Sequence, residues 1–357
     1  MSASLPQTRP SFLIVCLRLV GDVLLSTPLA LSIKSHLPDA TVDYLVFNGT
    51  EGALAKNPHI RRVHTISAGL SSVWTFTRLW RRYDYSIGTN ASDRTTIFCS
   101  GTGRRSIGFV LPERKHWWKR VLLSTPRNYD GSLHTVAAML SQLEVLGIPP
   151  VARVVLASDG EDTRFVDERL GAGDFILLHP LSKRDYKYWP AAAWAKLAEM
   201  IRAETGLRAV FSVGVGAADQ EQLAKIRLAA GKHFECFPEP FTFTQLAAAI
   251  RKCQAFVGVD TVVTHLAAAL EVPVVALFGP SPADRWGPWP NGSSSPRPYA
   301  RAGGTQCQGR ITILQLDWPC VPCDRETCGI TKRNKIECLE ELSPETVLRE
   351  LKRLIAT

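Results

Sequence analysis

The 357-residue chain contains no run of about 18 apolar residues, so no transmembrane helix is expected. Its first apolar stretch, Phe12–Leu31, is interrupted by Arg18 and Asp22. The longest clean run there, Phe12 to Leu17, is too short for the apolar region of a signal peptide, so a cytoplasmic protein is expected. The combination of low hydrophobicity and high charge that keeps chains disordered is also missing, with 45% hydrophobic and 21% charged residues. No repeat at solenoid periods is visible. A G-x-G-x-x-G fingerprint is lacking at the first strand–turn–helix, which argues against a dinucleotide oxidoreductase. No strict D-x-D occurs and no carboxylate cluster suits Mg²⁺, so a bound diphosphate would be neutralised by side chains and helix dipoles rather than by a metal.

What is present is basic and unevenly spread. The formal net charge is +9. Residues 1–165 hold 19 Lys/Arg against 12 Asp/Glu, and residues 61–127 alone hold 13 against 3. Trp74, Trp80, Trp117 and Trp118 are interleaved with that basic stretch. Three readings fit: a solvated surface over core tryptophans, a nucleic-acid footprint, or a face for an anionic membrane, where each basic residue contributes about 1 kcal/mol and Trp favours the interface.

The pattern of elements is α/β, written twice. Phe12–Leu17 reads as a buried strand, Asp22–His36 as a helix and Val42–Phe47 as the next strand. A helix is expected over Gly131–Leu146, then turn chemistry over 147–172. The second series starts with the strand Phe175–His179 and continues through the helix Pro190–Glu204, the strand Ala255–Val259 and the helix Val262–Leu270. Such alternation predicts two Rossmann-like domains with parallel sheets and ligands beyond the carboxyl ends of the strands, in a cleft between domains. The expected divisions are 1–165, 166–341 with an irregular, Cys-containing extension at 300–341, and a C-terminal helix in 342–357 that packs back on the first domain.

Three strand-to-helix links carry the chemistry. In Arg18-Leu-Val-Gly21-Asp22, Gly21 serves a tight turn and Asp22 falls at a helix start. Asp22 is either a cap or a general base facing the cleft. In His179-Pro-Leu-Ser182-Lys-Arg-Asp-Tyr-Lys187-Tyr-Trp-Pro190, hydroxyl and cationic donors suit phosphate oxygens. In Val257-Gly-Val-Asp260-Thr261-Val262-Val-Thr-His265, Thr261 and His265 share one helix face beside a helix N-terminus, a natural diphosphate site. Cys307, Cys320, Cys323, Cys328 and Cys338 lie close in sequence. They read as reduced thiols, a zinc or iron–sulfur set, or a redox bridge, and catalysis needs none of these.

Together the three links, with Phe278-Gly-Pro280, resemble glycosyltransferase family 9, the lipopolysaccharide heptosyltransferases, over residues 12–290. The Cys-Leu-Glu-Glu-Leu-Ser-Pro segment before the last helix resembles the longer, heptosyltransferase III-type members. The resemblance implies a GT-B fold and metal-independent, inverting transfer from ADP-L-glycero-β-D-manno-heptose to the lipopolysaccharide inner core at the cytoplasmic membrane face. It implies Asp22 as base, with Arg18 and Gly21 on the acceptor side. Ser182, Lys187, Asp260, Thr261, Val262 and His265 would hold the donor, with Glu221 near its ribose. Two departures stand out: Val262 replaces the family's usual Gly, and Lys183 and Arg184 stand where hydroxyls are usual. Both bear on donor identity more than on reaction type. On this reading the anionic membrane, not nucleic acid, is the partner of the basic stretch. The alternatives are a related transferase with another nucleotide-sugar or acceptor, a nucleic-acid-binding protein, and a Rossmann oxidoreductase.

Overall fold

The computed structural model describes residues 9–67, 69–171, 173–231, 234–328 and 336–356. The chain divides into two compact units. The first runs to Ala157 and takes back Asn291–Pro296, and the second comprises Ser158–Pro290 and Arg297 onward.

In the first unit the apolar runs become strands of a parallel sheet. These are β1 (Ser11–Cys16), β2 (Thr41–Phe47), β3 (Arg62–Ile66), β4 (Tyr83–Gly88), β5 (Gly103–Val110) and β6 (Thr125–Asn128). Among the described residues their order is β3-β2-β1-β4-β5-β6, all parallel. Phe12 to Cys16 of β1 are wholly buried, as a central strand covered on both faces requires. The helices are α1 (Val20–Leu25), α2 (Thr27–His36), α3 (Leu70–Leu79), α4 (Asp93–Thr102), α5 (Trp117–Leu122) and α6 (Thr135–Leu140). α4 meets both α3 and α5, and α2 meets α6.

The expected helix over 22–36 is broken at Ser26. Pro28 has no N–H to donate to the Leu24 carbonyl, and the Thr27 hydroxyl takes that carbonyl instead (2.8 Å). The helix expected at 131–146 is α6 followed by a 3₁₀ segment, Ser141–Leu146.

The second unit holds α7 (Gly160–Leu170), β7 (Phe175–His179), α8 (Ala191–Thr205), β8 (Arg208–Phe211), α9 (Ala217–Ala230), β9 (Glu235–Cys236), α10 (Phe243–Lys252), β10 (Ala255–Val259), α11 (Val262–Ala269), β11 (Val274–Leu277), α12 (Ala283–Trp286), β12 (Gly304–Gln308), β13 (Ile311–Gln315), α13 (Glu337–Glu340) and α14 (Pro344–Ile355). Its sheet runs β12-β13-β11-β10-β7-β8-β9 among the described residues, with only the edge strand β12 antiparallel.

Three expectations are corrected here. The division falls at 157/158 rather than 165/166, because 160–170 is a helix and not a turn. Asp159 and Asp162 form a capping box at its start, and Asp162 also accepts from Thr244 of α10 (3.0 Å), tying α7 to the second unit. Residues 300–341 are not all irregular, since β13 extends the sheet beside β11. The last helix, capped by Ser343 as its sequence suggests, is not a separate segment but part of the second unit. Its apolar stripe, Val347, Leu348, Leu351 and Leu354, is buried in the second unit's core against α8, β10 and β11. No described helix is long and apolar enough to cross a membrane.

Candidate active site

Each sheet reverses its strand order at one place, between β1 and β4 in the first unit and between β7 and β10 in the second. Parallel sheets open a ligand crevice beyond the carboxyl ends of the strands at such a point. The sequence motifs fall at these two places.

In the first unit, three residues, Leu17–Leu19, join β1 to α1. Leu19 is extended (φ −67°, ψ 162°) and the helix starts at once, which puts Asp22 in its first turn. Gly21 therefore lies inside α1 and is not among the left-handed glycines, so the expected turn role is corrected. The Asp22 side chain is only 10% exposed. Burial raises its pKa, and Arg18, whose Nε lies 3.3 Å from Oδ1, opposes that rise without cancelling it. A buried carboxylate with a raised pKa at a switch point is suited to accept a proton.

Sequence reasoning missed Asn90, which follows β4 next door. Its Oδ1 accepts from Ser92 N–H (2.9 Å), while its buried Nδ2 has no partner among the described residues. In Thr-Asn-Ala-Ser-Asp it reads only as turn chemistry. The signal that finds it is the orphaned amide.

In the second unit, the β7–α8 and β10–α11 links meet. Lys187 Nζ donates to Asp260 Oδ2 at 2.5 Å. Burial pulls the ammonium pKa down, but the attraction of Asp260 outweighs it and the net shift is upward, so Lys187 is a fixed cation. Thr261 caps α11 by accepting from Val263 N–H (3.3 Å). Val262 opens the helix with no left-handed φ, so Gly is not needed there. His265 stands one turn in. Burial pushes its pKa down to about 4, so the imidazole is neutral at pH 7. Its buried Nδ1 has no partner among the described residues.

Ser182 is buried on the β7 side, and its Oγ accepts from Arg184 N–H (3.2 Å). Lys183 and Arg184 point to solvent, with Arg184 3.7 Å from Glu326. Trp189 anchors the loop, since its indole N–H donates to the Leu342 carbonyl (2.9 Å) and its ring meets Trp194 edge-on at 5.0 Å.

Lys187, Asp260, Thr261, Val262 and His265 are thus one group. Glu221 is not brought to it; it is exposed on α9 and paired with Lys225 at 2.7 Å. The cysteines form no disulfide. Cys307 lies apart, 3.2 Å from Arg353. Burial and the nearby Cys323, Cys320 and Cys328 push the Cys338 thiol up to about 12. No described set of three or more His, Cys, Asp or Glu side chains is arranged to hold a metal ion.

Two Rossmann-like units, each with polar groups at its switch point, make up a GT-B fold. Residues 79–297 match glycosyltransferase family 9 (heptosyltransferase), and the chain belongs to that family. Lipopolysaccharide heptosyltransferase 3 of Escherichia coli K12 is 29% identical over 297 residues, 76% of this chain and 83% of the relative. The solved E. coli ADP-heptose lipopolysaccharide heptosyltransferase II shares the fold with a TM-score of 0.72 at 19% identity, covering 97% of this chain and 98% of that one. E. coli heptosyltransferase WaaC, solved with ADP, gives 0.70 at 16% identity, covering 96% and 99%.

Proposed function

We propose that the protein transfers heptose from ADP-L-glycero-β-D-manno-heptose to the inner core of lipopolysaccharide, with inversion and without a metal, at the cytoplasmic face of the inner membrane. The observation that carries this is the partition of complementary chemistry between the two switch points. One holds a buried carboxylate of raised pKa, and the other holds a fixed cation, a helix N-terminus and a neutral imidazole. The names of the relatives support the sugar, the nucleotide and the glycan.

Asp22 takes the proton from the acceptor hydroxyl as its oxygen bonds to the anomeric carbon of heptose. The bond from that carbon to the diphosphate breaks from the opposite face, so the configuration inverts and ADP leaves. The N–H groups opening α11 at Val262, with the Thr261 hydroxyl, Lys187, Ser182 and the His265 imidazole, meet the charge that grows on the leaving diphosphate. Asp260 keeps Lys187 charged and aimed. The basic first unit faces the anionic bilayer that carries the acceptor.

The test is ADP release from ADP-heptose with and without a truncated lipopolysaccharide acceptor. Acceptor-dependent release with a product heavier by one heptose establishes the transfer. No release together with an ADP-induced rise in melting temperature would move the donor sugar or acceptor, and neither effect would overturn the donor site.

A further inference from the structure

At the amino-terminal edge of the first sheet, opposite the end that carries Asp22, lies a cavity of about 380 Å³. The starts of β1 to β4 and the end of α3 enclose it, and four arginines line it: Arg61, Arg62, Arg78 and Arg82. The carboxylate in its wall, Asp43, is already satisfied. It accepts from Arg61 Nε (2.9 Å) and Nη2 (2.7 Å) and from Tyr83 Oη (2.7 Å). Arg78 Nη2 lies 3.2 Å from His64 Nδ1, and His64 Nε2 lies 3.0 Å from Tyr83 Oη. Since Arg can only donate, His64 carries its proton on Nε2 and passes the chain of donors on to Asp43. Arg62 and Arg82 are exposed at the rim and have no carboxylate partner among the described residues. A rigid, preassembled wall with spare guanidinium forks suits the oxygens of a phosphate.

The adjoining helix layer carries the second observation. A further hollow shares Arg62, His64 and Arg78 with the first and runs along β3 to Trp74. Val73 and Trp74 on α3, Trp80 just after it, and Trp117, Val121 and Leu122 on α5, are each at least 47% exposed. Arg78 lies over the Trp74 ring at 5.0 Å and Arg81 over Trp80 at 5.8 Å. Indole rings beside guanidinium groups favour the headgroup layer, and aliphatic tips favour hydrocarbon. Val73, Val121 and Leu122 offer nothing to stack on a nucleobase, so the surface fits a bilayer better than a nucleic acid.

We propose that this corner of the first unit is the docking surface for an anionic phospholipid bilayer. Arg62, Arg78 and Arg82 seat a lipid phosphate in the cavity, and Val73, Trp74 and Trp80 enter the headgroup layer. The proposal rests on the membrane location argued above and names the surface responsible.

The full chain is sedimented with vesicles of phosphatidylcholine alone or with phosphatidylglycerol. Binding is expected only to the anionic vesicles. Arg62→Gln/Arg82→Gln should weaken it at least about tenfold, at roughly 1 kcal/mol per basic residue. Val73→Ser/Trp74→Ser should weaken it comparably. Both variants should keep the parent melting temperature and full transfer to a water-soluble, deacylated acceptor. Equal binding to neutral vesicles, undiminished binding of the arginine variant, or preference for an oligonucleotide over anionic vesicles would overturn the docking surface. Vesicle binding that follows these expectations in a protein without heptosyl transfer would overturn the transfer reading and leave the docking surface standing.

Discussion

Asp22 is a residue whose burial as a carboxylate costs stability. Its pKa is raised in the folded chain, so folding favours the protonated form. The sign follows: Asp22's own contribution to stability is greatest below the ordinary carboxylate value and falls as pH rises from there through the raised value. Asp22→Asn should therefore melt a few degrees higher than the parent at pH 7, because Arg18, half in solvent, loses little. Asp22→Ala should lower turnover by at least about 100-fold with ADP affinity nearly unchanged. A thermal scan and a steady-state assay check the pair, and full activity in Asp22→Ala would remove the base. Lys187→Ala and His265→Ala should instead weaken ADP binding, measured by calorimetry. The placement of Asp22, Lys187, Thr261 and His265 at the switch points was legible in sequence because each stands at a strand-to-helix link, where position restricts what a side chain can meet. Asn90 was not legible, since an orphaned amide exists only once β4 lies beside β1.

Among the elements, strands were read best. β7 and β10 match the apolar runs residue for residue, because strands buried on both faces need continuous apolar sequence. Helix boundaries suffered where local chemistry competes, as at Pro28 and in α7, whose capping box resembles a turn in one dimension. β13 was missed because Ile-Thr-Ile-Leu-Gln is short and lies in a Pro- and Gly-rich stretch. The Lys-Tyr-Trp-Pro loop shows an element held from a distance. Trp189→Phe keeps an aromatic ring but removes the indole N–H and strands the buried Leu342 carbonyl, costing about 1–3 kcal/mol and loosening Lys187. ADP affinity should drop several-fold by calorimetry. Trp194→Phe is the control, because the Trp194 indole N–H has no partner among the described residues. Equal effects of the two would show that ring packing alone holds the loop.

For the molecule as a whole, the described residues of the second unit include two buried, neutral histidines. Burial lowers His179 to about 3 and His265 to about 4, against an ordinary 6.5. Groups depressed in this way cost stability as pH falls from about 6.5 towards those values, so the melting temperature should decline over that window. His265→Gln should flatten the decline, and an unchanged slope would assign it elsewhere. A further consequence lies in the length of β1. Six residues at about 3.3 Å each place the arginine cavity and Asp22 about 20 Å apart, at opposite ends of one strand. A protein resting on a bilayer by that cavity works as a gauge. Docked as proposed above, it would pass over sugars close to the lipid and reach only a hydroxyl that the glycan already lifts to that height, so acceptors would be selected by distance as well as by recognition.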